Sequence, residues 1–173
     1  PWRPDTLADL ASATKAMSAA SLLLLVERGR IRLEDTIAQH WPAFGAEGKQ
    51  SATIRQLLAH QVGVVTTTRP ITPADQHAHD PIVTMLAAQA PDWEPGTRHG
   101  YHGVTFGWLV SGLIQAVTGR TLFDFYDDEI RIPRRLDLTM RVARPELARL
   151  AQTLPPTDEQ IAQGLTDPAY ATF

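Results

Sequence analysis

Apolar positions along the chain recur at helical intervals, in runs separated by short polar stretches. The first run, 12–28 (SATKAMSAASLLLLVER), places Ala16, Ala19, Ala20, Leu23 and Val26 on one helical face, which Leu22, Leu24 and Leu25 widen. Gly29 follows at a position suited to a left-handed cap, so the pattern predicts a deeply buried helix ending there. Asp35 or Thr36 can cap a short helix halted by Pro42, and Thr53 a second over 54–60, closed by Gly63. Residues 64–82, rich in threonine, proline, histidine and aspartate, predict a surface loop. A helix over 81–90 follows, after which Pro91, Pro95 and Gly96 force turns around Trp93. The apolar pattern returns over 104–117 and stops at Gly119, and Thr121 then caps a helix over 122–130 ended by Pro133. Residues 145–152 predict a last helical segment, and Pro155-Pro156 a linker or sharp corner. Only Arg30-Ile31-Arg32-Leu33 alternates as a strand would. The expected body is mainly α.

Composition narrows the class. The 173 residues carry 16 basic and 19 acidic side chains, a net charge of −3, and are 43% hydrophobic, as in a single soluble domain with a real core. The slight acidity gives no electrostatic footprint for nucleic acid or an anionic membrane surface. The absence of cysteine excludes a disulfide framework, a thiolate zinc site and a cysteine nucleophile. The most apolar stretch, 16–26, is interrupted by Ser18 and Ser21 and is too short to span a bilayer. The chain starts at Pro1 rather than methionine and ends in Ala171-Thr172-Phe173, as a part of a longer protein would.

Candidate chemistry begins at Ser12-Ala13-Thr14-Lys15. Residues three apart on a helix share a face. A serine at a helix N-terminus feels the positive end of the macrodipole, and a desolvated lysine one turn on can take up its proton. The structural alternative is a serine cap followed by a lysine whose stem lies along the helix.

The context favours chemistry. DTLADLASATKAMSAASLLLLVERGRIRLEDTIAQHWPAF resembles the active-site region of the serine β-lactamase-like superfamily, in which Ser-x-x-Lys opens a long apolar helix ending in glycine before a short Leu-x-Asp segment. Ser12, Lys15, Gly29, Leu33 and Asp35 occupy those places. ATIRQLLAHQVGV resembles the family's T-I-x-x-L-L-x-H-x-S-G, with His60 and Gly63 matching and Val62 in place of serine. DWEPGTRHGYHGVTFGWLVSGLIQAVTGRTL resembles W-x-P-G-x-x-x-x-Y-S-N and the apolar helix after it, which puts Tyr101 on the family's catalytic tyrosine. IPRRLDLTM resembles x-P-L-G-M, although Arg134 and Arg135 break the match. The likeness runs to about Met140.

The resemblance implies an acyl-enzyme mechanism without metal or cofactor. Ser12 is the nucleophile, Lys15 and Tyr101 share the base role, and the substrate is a small ester or amide. Trp93, His102 and Gly103 are the expected substrate-binding residues. Tyr101-His102-Gly103 stands where the family has Tyr-Ser-Asn, and loss of that amide leans the reading towards the family VIII carboxylesterases over β-lactamases and D-amino-acid peptidases. The family's late strand with Lys/His-Thr-Gly or Gly-x-Gly has no match after Tyr101. The chain therefore reads as a single partial domain over 1–173: the helical region of an α/β fold, its antiparallel sheet largely missing and its active site incomplete.

Other readings accompany this one. A non-catalytic binding or scaffold relative fits Val62, Gly103 and the missing third motif. His77 and His79 could suggest metal but sit in the expected solvated loop. His60 at a helix end, and Trp41 and Trp108 with it, are expected to be structural. Asp127-Asp128-Glu129 predicts a solvated helix face, and Arg131, Arg134, Arg135, Arg141 and Arg144 a salt-bridged stretch.

Overall fold

The computed structural model describes residues 2–154, 156–160 and 162. Pro155 and the chain end 171–173 lie outside them. Contacts divide the chain into two compact units: Ser12–Arg141, and a smaller one combining Pro1–Ala11 with Val142–Phe173.

The larger unit is helical: α1 Thr14–Glu27, α2 Ile37–His40, α3 Ile54–Leu58, α4 Pro73–Ala78, α5 Asp80–Ala88, α6 Thr105–Thr118 and α7 Leu122–Tyr126. Among the described residues there is no strand, only isolated bridges at Leu7 to Leu150 and Thr36 to Thr53. Arg30–Leu33 is accordingly not a strand, and its alternation reflects one inward side chain, Ile31, in a turn. The expectation of a mainly helical body holds.

α1 and α6 form the centre and pack against each other. α6 buries Phe106, Leu109, Val110, Leu113 and Ile114, each such side chain contributing about 1.5–3 kcal/mol. Gly112 lets the helix approach Trp41 and Val83, because a Cβ there would lie 2.6 Å from the indole. Gly119 ends α6 in the left-handed conformation, as the pattern predicts.

The buried face of α1 is rotated from the expected one. Met17, Ser18, Ser21, Leu22 and Leu25 point inward, while Ala16, Ala20 and Leu23 are exposed. Two serines can be buried because each hydroxyl bonds a carbonyl one turn back, Ser21 to Met17 at 2.9 Å and Ser18 to Thr14 at 3.5 Å.

Thr53 caps α3 in a full capping box with Gln56. The segment 64–82, expected as a loop, contains α4 and the start of α5. Thr72 caps Pro73–Ala78 with Asp75 completing the box, and Asp75 also binds Arg69 through both oxygens at 2.7 and 2.8 Å. Asp127-Asp128-Glu129 is likewise no free solvated face. Glu129 pairs with Arg28 and Arg120, Asp128 with Arg120, and Asp127 with Arg131. Arg141 pairs with Asp124.

In the smaller unit, Leu7 is clamped beside Leu150: its amide donates to the Arg149 carbonyl and its carbonyl accepts from the Ala151 amide, both at 2.8 Å. A 3-10 segment, Arg144–Arg149, lies where a short helix was expected.

Candidate active site

Ser12 lies in a single 3-10 turn, Ala11–Ala13, that runs straight into α1. It is exposed, and it precedes the first α-helical residue instead of capping it: Ala13 is already in the helical region. The turn still places Ser12 and Lys15 on one face. Lys15 Nζ donates to Ser12 Oγ at 3.3 Å and to the Gly103 carbonyl at 2.9 Å. It also stands 4.8 Å from the centre of the Tyr101 ring.

Tyr101 thus closes a cluster whose members are separated by about half the chain length. Hydrogen bonds from Lys15, then from Ser12, hold its phenol below the ordinary tyrosine range. Once its acidified phenol has ionised, Tyr101 can take up the Ser12 proton beside Lys15 when the serine oxygen attacks an electrophile.

Two histidines fix Tyr101. The His102 amide donates to His60 Nδ1 at 3.1 Å, and the Val64 amide donates to His102 Nε2 at 3.2 Å. With Nε2 an acceptor, His102 Nδ1 carries the proton and donates it to the Gly100 carbonyl at 2.7 Å. His60 packs its ring 5.1 Å from Tyr101 and 4.9 Å from Phe106. Burial, then the nearby His102, His99 and Lys15, push the His60 pKa down to about 4; burial also lowers that of His102.

His102, expected among the substrate-binding residues, is buried with both ring nitrogens engaged within the chain, where it holds the loop. Trp93, half-buried, donates its indole N–H to the Gln61 carbonyl and lies against Gly100, one residue before the tyrosine. Gly103 is exposed beside Lys15, and a Cβ there would meet only the Tyr101 ring, at 3.6 Å. Val62, where the family motif has serine, is buried in the core. His60 was expected to be structural but not to carry this hub; the signal was the pair His60 and His102 flanking two turn-rich segments.

His77 is exposed, and His79 has both ring nitrogens occupied by Asp80 and Ser111. Among the described residues no three histidine, aspartate or glutamate side chains gather as metal ligands would. No described helix is long and apolar enough to cross a membrane.

Similarity to known proteins gives the family of the chain. A family model described as beta-lactamase matches residues 1–172. The chain belongs to the beta-lactamase family. It is 37% identical over 161 residues to the esterase/beta-lactamase LipL of Mycobacterium tuberculosis, covering 91% of this chain and 37% of that protein. It superposes on a family VIII carboxylesterase with a TM-score of 0.84 and 36% identity, covering 90% of this chain and 43% of that one. A penicillin-binding protein homolog from Caulobacter crescentus gives 0.85 and 32%, with 98% and 48% covered. The chain thus spans less than half the length of these relatives, and its helices correspond to part of the beta-lactamase fold.

Proposed function

We propose that residues 1–173 form part of one serine hydrolase domain that cleaves small acyl esters through an acyl-enzyme. The observation that carries this reading is the contact of Lys15 Nζ with Ser12 Oγ beside a phenol acidified by both. With the Lys15–Tyr101 pair one proton short, Ser12 Oγ attacks the ester carbonyl and its proton passes to that pair; the ester C–O bond then breaks and the leaving alkoxide takes the proton back. Water then hydrolyses the acyl-serine by the same relay. Lys15 and Tyr101 act as one coupled unit.

Esters are favoured over β-lactams for two reasons. Gly103 offers no side-chain amide to a substrate, and it is exposed beside Tyr101. The similar proteins include one named an esterase/beta-lactamase and one titled a family VIII carboxylesterase. Trp93 and Gly103 border the space in which the substrate would lie.

The test uses the complete protein. Short-chain acyl esters are expected to be hydrolysed, and a fluorophosphonate probe to leave one adduct on Ser12. Both activities should vanish in Ser12→Ala. Hydrolysis that survives the substitution overturns the proposal, and ligand binding without any adduct assigns the protein a binding role instead.

A further inference from the structure

A second polar cluster shares none of its residues with the Ser12, Lys15 and Tyr101 cluster. His79, between α4 and α5, has φ 62° and ψ −61°, a conformation close to the strained γ-turn that a residue with a side chain rarely adopts. The strain aims its ring at α6. Nδ1 stands 3.2 Å from Asp80 Oδ1 and Nε2 stands 2.7 Å from Ser111 Oγ.

The direction of these bonds follows from chemistry. An ionised carboxylate only accepts, so in the neutral ring Nδ1 carries the proton and Nε2 accepts from the Ser111 hydroxyl. Ser111 has then spent its only proton, and its oxygen can offer nothing but lone pairs to any further partner. Ser111 lines a cavity of about 190 Å³ whose apolar walls include Trp108, Phe123 and Met140, with Gly107 and the α1 residues Thr14 and Ser18 completing the lining. Ser111 itself is 2% exposed. An apolar cavity of about 150 Å³ is enough for one benzene ring.

We propose that this cavity is a binding site for a neutral, single-ring aromatic alcohol. The ring packs between Trp108, Phe123 and Met140, and its hydroxyl donates to Ser111 Oγ. The size admits one ring, and the polarity selects a donor over an acceptor. The proposal makes no use of Ser12, Lys15 or Tyr101, so either assignment can fail without the other.

The probes are phenol and anisole, which differ in that a methyl group replaces the hydroxyl proton. Each is titrated above neutral pH into the complete protein carrying labelled methionine methyls. The chain has three methionines, and Met17 and Met85 do not line the cavity, so they serve as internal references. Phenol is expected to shift the Met140 resonance saturably, with anisole needing about tenfold more, the typical effect of one hydrogen bond. Ser111→Ala should erase that preference. Gly107→Leu should abolish the shift while the fold is kept, because a Cβ at Gly107 meets nothing within 4 Å. Equal binding of the two probes, no saturable shift of Met140, or binding retained in Gly107→Leu overturns the proposal.

Discussion

His60 Nδ1 accepts the backbone amide of His102 at 3.1 Å, so the residue after Tyr101 is held by an imidazole that must stay unprotonated. A free histidine titrates near ~6.5, and His60 in the folded chain near about 4. The folded state therefore binds fewer protons between those values, and stability should be complete above the upper one and fall towards the lower. His102, lowered by burial, adds in the same direction. Urea midpoints measured across this range should drop with acid, and the slope should flatten in His60→Phe. An unchanged slope in that variant would place the acid sensitivity elsewhere.

Lys15 should govern the ionisation of Tyr101. The chain has three tyrosines, and burial raises the pKa of Tyr126, so Tyr101 is expected to ionise before Tyr126. In Lys15→Met the early step in tyrosinate absorbance should move up towards ~10, the ordinary tyrosine value. In the complete protein the rising limb of kcat/KM should move to higher pH with it. Tyr101→Phe should remove the step. A step that ignores Lys15 would break the link between lysine and phenol.

Gly100→Ala tests how tightly the tyrosine is seated. The added Cβ would lie 2.5 Å from the Trp93 ring, which has little freedom while its N–H is bonded to Gln61. Thermal unfolding should show a loss of about 1–3 kcal/mol, the usual effect of overpacking. Tyr101, one residue away, should shift from Lys15, so fluorophosphonate labelling should slow more than the stability loss explains. Wild-type labelling in a destabilised variant would uncouple Trp93 from the site.

The sequence carried the ends of helices and the identity of the central cluster. Capping at Thr53 and the stop at Gly119 are local events, written in adjacent residues and independent of the rest of the fold. The register of α1 was not legible in the same way. Its two serines look polar in isolation, and only their bonds to carbonyls one turn back make them core residues. α4 was hidden by composition, although Thr72-Pro73-Ala74-Asp75 is a helix start in its own right. Ser12 and Lys15 are neighbours in sequence, but the contact with Gly103 spans 88 residues and could be reached only through family resemblance.

Lys49 gives a last measurable consequence of burial. It is 0% exposed, donates to the Ala46 carbonyl at 2.8 Å and to the Gln89 carbonyl, and lies 5.3 Å from the centre of the Phe44 ring. No carboxylate bonds its ammonium among the described contacts, and burial holds its pKa below the ordinary lysine value. Lys49→Met keeps the stem and removes the side-chain donor; the Ala46 carbonyl keeps the amide of residue 49 at 3.2 Å, while the Gln89 carbonyl loses its ammonium partner, at about 1–3 kcal/mol if it stays dry. The cost of holding the charge away from water disappears at the same time, which offsets part of that loss. With its folded pKa depressed, the unfolded chain binds the extra proton, so wild-type stability should rise with pH as the medium approaches ~10.4 from below. The methionine variant lacks that proton, and its deficit against wild type should therefore widen with alkalinity. A deficit that narrows would mean Lys49 is charged more readily inside the fold than outside it.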